Sequence, residues 1–258
     1  MSNISLGDRM KMYERAIDYS LNPNMQYMIR LDGNSFSRRT KQWKLEKPFD
    51  VRFNNAMVAA AKSLFDLIPN IVCIWTGSDE ISVWFNNPDI GNAYFNNRIQ
   101  KIISLASSQV SVNFTLELNK QIPGNNIPGI FDARIMEFPN ELEAINCFMF
   151  RQRDCIKNSI SGYAQQYFSN KQLLNKNSAE KITMLEEHNL RWNEQPNWAK
   201  QGVFLYKELY TINSDINGEY KRHYINVNDA IVLNNPSDIN CIFNSEHTIT
   251  EAEWLNLK

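Results

Sequence analysis

The sequence Ile71-Val-Cys-Ile-Trp-Thr-Gly-Ser-Asp-Glu-Ile-Ser-Val-Trp-Phe85 is central to predicting the fold. Two runs rich in β-branched and aromatic residues flank the tight polar segment Thr76–Glu80. This pattern is typical of a β-hairpin, because such residues favour strands and short polar segments favour turns. The hairpin carries two neighbouring acids, Asp79 and Glu80, at its tip.

The segments on both sides of the hairpin alternate between strand and helix patterns. Upstream, a short strand at Gln26–Leu31 ends at the turn pair Asp32-Gly33, and Asp50 can cap a helix that runs to about Ile68. Downstream, apolar residues at helical spacing predict a helix from near Ala93 to Val110, and Phe131–Met136 predicts a further strand. The order predicts an α+β fold of the split βαβ, ferredoxin-like kind, with an antiparallel sheet and both helices on one face.

The rest of the chain is predicted to extend this core within a single domain. Residues 140–190 are mostly helical by pattern, and residues 200–232 read as strands. We therefore expect one catalytic domain over 1–258, with a core at about 20–138, a helical and strand extension at about 139–232, and a weakly defined tail at 233–258.

Composition excludes several classes of protein. The 258 residues carry 27 Lys and Arg against 28 Asp and Glu, a net charge of -1, which argues against a wholly basic surface but permits a local basic groove. No apolar run approaches the ~18 residues of a membrane span, and the first residues lack a signal-peptide pattern, so a cytoplasmic protein without a membrane partner is expected. Four cysteines without a C-x-x-C pair and three histidines do not predict a zinc or hydrolase site.

Three carboxylates are predicted to meet at one edge of the sheet. Asp32 ends the first strand, and Asp79 and Glu80 form the tip of the hairpin beside it. Carboxylates without cysteine or histidine suit a hard ion such as Mg²⁺, and two such ions ~3.5–4 Å apart can hold a triphosphate and activate a hydroxyl. The Gly33 carbonyl is a further candidate ligand. The alternative is an ordinary Asp-Gly turn and a solvated hairpin tip.

Cations that could bind a triphosphate occur at Lys47, Arg98, Lys101 and Arg134, although lysine and arginine also decorate any helix surface. The chain has no G-x-x-x-x-G-K-[ST] loop and no G-x-G-x-x-G turn, which argues against a P-loop NTPase and a Rossmann cofactor site.

Five blocks carry a resemblance to a known family. They are Arg30-Leu-Asp-Gly-Asn-Ser-Phe36, Glu46-Lys-Pro-Phe-Asp50, Gly77-Ser-Asp-Glu80, Phe131-Asp-Ala-Arg134 and Arg151-Gln-Arg-Asp154. In order and spacing they resemble the tRNA-His guanylyltransferase superfamily over about residues 7–207. The resemblance implies a polymerase-palm-like fold and an enzyme that adds nucleotides to the 5′ end of tRNA in the 3′-to-5′ direction.

The resemblance also implies roles for individual residues. Asp32, the Gly33 carbonyl and Asp79 would hold two Mg²⁺ ions, and Glu80 would join the two aspartates as a catalytic residue. Further residues implied to contact the nucleotide are Asn34, Ser35, Phe36, Ser37 and Ser78. Those implied to contact triphosphates are Lys47, Arg98, Lys101, Arg134 and Asn158. ATP, GTP and other NTPs would be the substrates, and the protein would form a homotetramer.

One departure from the family pattern bears on the subtype. After the Arg-Gln-x-Asp block, eukaryotic members carry a histidine that is associated with selecting the histidine tRNA, whereas this chain has Ile156-Lys157-Asn158-Ser159. That form is similar to the guanylyltransferase-like branch, whose members repair 5′-truncated tRNAs by template-dependent addition. A dedicated guanylyltransferase that adds G to tRNA-His is the alternative.

Two further classes share parts of the pattern. A palm-type nucleotide cyclase would use similar paired acids, but the Gly-Gly-Asp/Glu-Glu-Phe hairpin is missing. A non-catalytic RNA-binding module would need exposed aromatic residues on its strands, for which Tyr27, Trp75 and Trp84 are the candidates.

Overall fold

The predicted hairpin forms two neighbouring strands of an antiparallel sheet in the computed structural model, which describes residues 4–86, 93–216, 218–243 and 246–257. The strands in this part of the chain are β1 (Gln26–Gly33), β2 (Ile71–Gly77), β3 (Glu80–Phe85), β4 (Phe131–Phe138), β5 (Val203–Ser214), β6 (Gly218–Asn228) and β7 (Glu246–Thr250). They lie in the order β4-β1-β3-β2-β5-β6, and β7 pairs in parallel with β5. All other pairings are antiparallel, so the predicted α+β class with an antiparallel sheet is confirmed.

The register of β1 fixes the end of the sheet at which the acids lie. Asp32 is opposite Glu80 of β3 on one side and opposite Asp132 of β4 on the other. At the other end of the same strand, Tyr27 is opposite Phe85. The side chains at one end are therefore carboxylates and those at the other end are core aromatics.

The helices cover both faces of the sheet. They are α1 (Leu6–Arg15), α2 (Phe36–Gln42), α3 (Val51–Lys62), α4 (Ile99–Gln121), α5 (Glu141–Ala164), α6 (Asn170–Leu173), α7 (Ser178–Glu187), α8 (Asn197–Gln201), α9 (Asn240–Phe243) and α10 (Glu251–Leu257). Short 3₁₀ segments lie at Ser63–Asp66, Tyr94–Asn97 and Pro236–Ile239.

Helices α3 and α4 share one face, where Ile29, Leu31 and Val83 of the sheet join one buried cluster with Ala60 and Phe114. Helix α5 covers the opposite face, where Met28 and Trp84 pack with Phe148 in a second cluster. Successive residues of a strand point to opposite faces, so β1 and β3 need apolar residues at nearly every position.

Helix α4 differs from its prediction at both ends. It begins at Ile99 rather than near Ala93, because the preceding residues form a 3₁₀ segment in which Phe95 and Asn96 have left-handed backbone angles. It continues to Gln121 rather than ending at Val110, and its buried residues include Phe114 and Leu118. In this second half the apolar residues alternate with polar ones from Val110 to Leu118, which is the period of a strand, although Val112 and Leu116 are exposed on the helix.

The segment after residue 139 enlarges the core sheet. Strand β5 pairs with β2 at Trp75 and Phe204, and β6 pairs with β5 along its whole length, from Phe204 to Ser214. Two small clusters complete the extension, one around Tyr163 and Leu185 and one around Tyr210 and Trp254. No helix in the described ranges is long and apolar enough to cross a membrane.

Candidate active site

The sheet brings Asp32 and Asp79 together, as the hairpin pattern predicted. The backbone N–H of Gly33 donates to the backbone carbonyl of Asp79 at 2.9 Å, which joins the end of β1 to the hairpin turn. Ser78 occupies the turn with a left-handed φ of 54°, and its hydroxyl donates to the Asp79 carboxylate at 3.1 Å.

The two aspartates interact electrostatically. Burial raises the pKa of the Asp79 carboxyl above its ordinary value, and the negative charges of Asp32 and Glu80 raise it further. A cation beside Asp79 would offset these effects, because an opposite charge nearby favours the ionised carboxylate. The acidic end of the sheet is therefore chemically suited to a positively charged ligand.

The environment of Glu80 differs from that of Asp32 and Asp79. It is 5% exposed, and its carboxylate accepts from the Arg151 Nε at 2.7 Å while a second guanidinium nitrogen contacts the other oxygen. The Ser82 hydroxyl donates to the same carboxylate at 3.1 Å. A buried carboxylate needs such partners, so Glu80 is held in a structural ion pair.

Gly33 meets a steric demand that the sequence did not reveal. A Cβ at this position would lie 2.5 Å from the ring of Phe36, so only glycine fits. The Phe36 ring is 2% exposed and packs against Trp43 and Phe131, with ring centroids 5.0 and 4.9 Å away. Phe36 was predicted to bind nucleotide, but its side chain is packed in the hydrophobic core.

The loop after β1 is held by Arg39. Its Nε donates to the carbonyl of Asn34 at 3.1 Å, and another guanidinium nitrogen donates to the carbonyl of Pro128 at 2.6 Å. Ser35 has a left-handed φ of 58° and starts α2, and Ser37 is exposed in the first turn. The backbone N–H groups of Arg38 and Arg39 donate to the carbonyl of Ser35 at 3.0 and 3.1 Å, which closes the first turn of this seven-residue helix.

A cleft of about 370 Å³ lies beside the acidic end of the sheet. Its walls come from α2, the segment 45–50, the hairpin tip, α5 and α8. Five of the predicted site residues line it with Asp79: Phe36, Ser37, Lys47, Ser78 and Asn158. Among the lining residues that the structure describes, Lys47 carries the one cationic side chain, and it is exposed.

Two buried groups shape the walls of this cleft. Asp50 caps α3, as predicted, and accepts from the backbone N–H of Glu46 at 2.7 Å, which anchors the loop that carries Lys47. Burial opposes ionisation of Asp50, but hydrogen bonds from Arg52 and the backbone keep its pKa below the usual range. Burial raises the pKa of Cys155 to about 12, so its thiol stays protonated and is neither a nucleophile nor a thiolate ligand near neutral pH.

Three of the predicted triphosphate residues do not line the cleft. Arg98 and Lys101 lie at the start of α4, which follows the far end of β3, and Arg98 Nε donates to Asp18 at 2.6 Å. Arg134 lies on the edge strand β4, where it pairs with Asp132 at 3.0 Å. Neither arginine is therefore a free cation beside Asp79 in this chain.

The residues present fit a hard divalent cation. The donors at the acidic edge are carboxylate and backbone oxygens, and the nearby Cys155 thiol is neutral. Among the described residues there is no group of three or more acidic, histidine or cysteine side chains arranged around a single point as metal ligands. The ion pair of Glu80 with Arg151 explains this, because it removes the third carboxylate from the set.

Sequence reasoning missed the residues that hold the site in place. Arg39 and Arg151 were not singled out, although Arg151 starts the Arg-Gln-Arg-Asp block. Trp198 lines the cleft from α8, more than a hundred residues away along the chain, and no local pattern marks it. The three aromatic candidates for RNA binding, Tyr27, Trp75 and Trp84, are each 1% exposed and belong to the core.

The arrangement defines a class of protein. Paired carboxylates at one end of the sheet, next to a cleft with a lysine and an asparagine, are groups that can serve phosphoryl and nucleotidyl transfer. Fold and site are thus those of an enzyme acting on phosphate groups.

Comparisons with known proteins identify the family. The model of the tRNAHis guanylyltransferase family matches residues 7–139. A tRNA(His) guanylyltransferase of Debaryomyces hansenii is 30% identical over 80% of this chain and 82% of its own, and an uncharacterised protein of Acanthamoeba polyphaga mimivirus is 36% identical over 80% and 78%. A solved bacterial tRNA(His) guanylyltransferase-like protein in complex with ATP has a TM-score of 0.75 at 33% identity, covering 86% of this chain and 91% of that one. The protein belongs to the tRNAHis guanylyltransferase family and is a nucleotidyltransferase.

Proposed function

We propose that this nucleotidyltransferase adds nucleotides to the 5′ end of tRNA in the 3′-to-5′ direction and selects each one by pairing with a template strand. Its substrates are then 5′-truncated tRNAs, and its activity is repair. The observation that carries the proposal is the meeting of Asp32 and Asp79 at one sheet edge, beside the cleft lined by Lys47 and Asn158.

The catalytic unit is a single domain with a polymerase-palm-like sheet. Strand order β4-β1-β3-β2, with every neighbour antiparallel and α3 and α4 on one face, supports the comparison with a palm. The pairing of β5 with β2 supports one domain rather than two, because the extension shares the sheet of the core.

The reaction proceeds in two phosphoryl transfers. In the first, an oxygen of the RNA 5′-monophosphate attacks the α-phosphate of ATP or GTP, and pyrophosphate leaves, which gives a 5′-nucleotidylated end. In the second, the 3′-hydroxyl of the incoming NTP attacks the 5′-phosphate of the RNA, loses its proton, and expels AMP or GMP. The added nucleotide keeps its own triphosphate at the new 5′ end.

The residues of the chain divide this work. Asp32, Asp79 and the Gly33 carbonyl would hold two Mg²⁺ ions, which supply charge neutralisation and a lowered pKa for the attacking hydroxyl. Lys47 and Asn158 bind phosphate oxygens from the cleft walls. Ser78 and Ser37 contact the nucleotide from the edge of the same cleft.

Position 156 favours repair over dedicated addition of a single G. Ile156 stands where the eukaryotic enzymes carry the histidine associated with tRNA-His, and its neighbours Asn158 and Ser159 line the cleft.

We also propose that the protein works as a homotetramer in which Arg98 and Lys101 serve the cleft of a neighbouring subunit. Helix α1 supports this, because none of its residues is buried in the described chain and Leu6, Met10 and Tyr13 form an exposed stripe along one face. The Asp18–Arg98 ion pair joins this region to the start of α4, so a subunit that covers the stripe also approaches Arg98.

The test uses two 5′-monophosphorylated RNAs with Mg²⁺, ATP and all four NTPs. One is a tRNA that lacks its first nucleotide, and the other is a full-length tRNA-His without the extra G. The base opposite the missing nucleotide is varied, and the added base is read on a gel, with Asp32→Asn protein as the inactive control.

Addition that follows the template base supports repair. Addition of G alone, to tRNA-His alone, would instead make the protein a dedicated guanylyltransferase. If neither RNA grows and NTP is consumed to a cyclic product, the proposal is overturned in favour of a cyclase.

A further inference from the structure

The ion pair between Glu80 and Arg151 connects the acidic end of the sheet to α5. Glu80 is the first residue of β3 and lies opposite Asp32, while Arg151 lies midway along α5. The Arg151 guanidinium contacts both carboxylate oxygens of Glu80 with two of its nitrogens. A two-point contact of this kind fixes direction as well as distance, which a single hydrogen bond does not.

The same arginine begins a polar row along α5. The other terminal nitrogen of Arg151 lies 3.9 Å from the Asp154 carboxylate. The same carboxylate accepts a hydrogen bond from the side-chain amide of Asn158 at 3.3 Å. Spacings of three and four residues place Arg151, Asp154 and Asn158 on one face of the helix. The row therefore runs from Glu80 at the sheet edge to Asn158 in the wall of the cleft.

We infer that Arg151 is a positioning residue for the nucleotidyl transfer. Through Glu80 it holds the hairpin tip that carries Asp79, and through Asp154 it orients the Asn158 amide in the cleft. The inference rests on the function proposed above and adds to it a residue that touches neither the nucleotide nor the metal ligands directly. Its role is to keep the acidic edge and the phosphate-binding wall at a fixed separation.

The two halves of the row predict different kinetic effects. Loss of Arg151 moves the reacting edge, and a misplacement of that kind lowers turnover by about 100-fold. Loss of Asp154 frees only the Asn158 amide, so Asp154→Ala raises the KM for NTP by about tenfold and changes kcat little. If Arg151 and Asp154 only stabilised the fold, one variant would not change kcat while the other changed KM.

The experiment compares Arg151→Met, Arg151→Lys and Asp154→Ala in nucleotide addition, with melting temperature and ATP affinity measured on each. Arg153→Met is the control, since Arg153 lies on the same helix, is exposed, and donates to the backbone of Asn234. We expect kcat of Arg151→Lys to be about tenfold higher than that of Arg151→Met and still below wild type. Lysine restores the positive charge but not the two-point contact of the guanidinium with Glu80.

A second variant guards against a folding defect in Arg151→Met. Glu80→Gln keeps the shape of the side chain and loses its charge, so it should lower kcat to a similar extent. The double variant Glu80→Gln/Arg151→Met should then be no worse than either single variant, because the pair acts as one unit.

The outcomes separate the inference from the proposed function. If the wild type adds nucleotides and Arg151→Met keeps kcat within about threefold of it, or if the Glu80 and Arg151 losses simply multiply, the inference is overturned. If the wild type adds no nucleotide but Arg151→Met and Asp154→Ala weaken ATP binding, the proposed function falls and the positioning role stands. If the wild type neither adds nucleotides nor binds ATP, both are overturned.

Discussion

At the scale of single residues, three carboxylates at one end of the sheet have three different environments. Asp132 is exposed and paired with Arg134, and Glu80 is buried and paired with Arg151. Asp79 has only the hydroxyl of Ser78 as a side-chain partner among the hydrogen bonds described, and it faces the cleft beside Asp32. The same chemical group thus serves as surface ion pair, buried anchor or free ligand according to its neighbours.

Asp32→Asn and Asp79→Asn should each lower nucleotide addition by about 1,000-fold or more, because each removes a charge that would hold the metal ions. Asp132→Asn is the matched control, since it lies opposite Asp32 in the same sheet and points to solvent. It should stay within about threefold of wild type, as expected for an exposed ion pair. Single-turnover assays measure nucleotide addition, and circular dichroism checks that each variant is folded. Full activity in Asp32→Asn or Asp79→Asn would contradict the metal assignment.

Lys47 is the exposed cation in the cleft, and Lys47→Met should raise the KM for NTP by about tenfold, because a charge-assisted hydrogen bond to phosphate is worth about 1.5–3 kcal/mol. Lys44→Met is the control, because Lys44 is equally exposed and lies just outside the cleft. Steady-state kinetics over a range of NTP concentrations measure the effect. Equal KM values for the two variants would remove Lys47 from the binding site.

At the scale of secondary-structure elements, the junction between α8 and β5 holds one wall of the cleft against the sheet. Trp198 and Ala199 of α8 line the cleft, and Gly202 ends the helix with a positive φ of 79°. The Trp75 indole N–H donates to the carbonyl of Gln201 at 3.0 Å, which attaches this junction to β2. The position of this cleft wall therefore depends on the contact between the end of α8 and β2.

Gly202→Ala should destabilise the protein by about 3 kcal/mol, because a Cβ there would lie 2.5 Å from the carbonyl oxygen of Thr76 and would also strain the backbone. Gly218→Ala is the control with the same kind of backbone, a φ of 69°, but open space around the new Cβ. It should cost only about 1 kcal/mol. Urea unfolding gives both values, and equal losses would show that backbone strain, rather than the contact with β2, limits position 202.

At the scale of the whole molecule, the sheet separates two groups of predicted phosphate-binding residues. Lys47 and Asn158 line the cleft at the acidic end, whereas Arg98 and Lys101 lie at the start of α4, beyond the other end of β3. A helix of 23 residues spans about 35 Å, so α4 carries the chain from one end of the sheet to the other. One chain cannot bring both groups to the same triphosphate in this conformation.

A subunit-mixing experiment tests whether neighbouring subunits share the site. Asp32→Asn protein and Arg98→Ala/Lys101→Ala protein, each inactive alone, should recover about a quarter of wild-type activity after unfolding and refolding together, as random assembly predicts when the two groups meet across an interface. A mixture of Asp32→Asn with Asp79→Asn is the control and should recover nothing, because both acids belong to one chain. No recovery in the first mixture would exclude the sharing of Arg98 and Lys101.

The sequence predicted local features well and distant ones poorly. Strand-forming runs bounded by turn residues and helical patterns identified β1 to β4, α3 and the capping role of Asp50, because these depend on residues close in the chain. The predicted ends of α4 were wrong, because left-handed backbone at Phe95 and Asn96 delays its start and the alternation of apolar and polar residues after Val110 hides its continuation. The pairing of Glu80 with Arg151 spans 71 positions, and no periodicity reveals it.

Local sequence was enough to predict an antiparallel α+β core with Asp32 and Asp79 at one end of the sheet, because strand-forming runs and a hairpin tip depend on residues close together in the chain. Which acids are free, which cations reach the cleft and what covers the second face of the sheet depend on contacts between distant elements. Burial and ion pairing depend on side chains that arrive from distant elements, as Arg151 does at Glu80 and Trp198 does at the cleft. Local sequence sets where a functional group stands, and packing sets what that group is able to do.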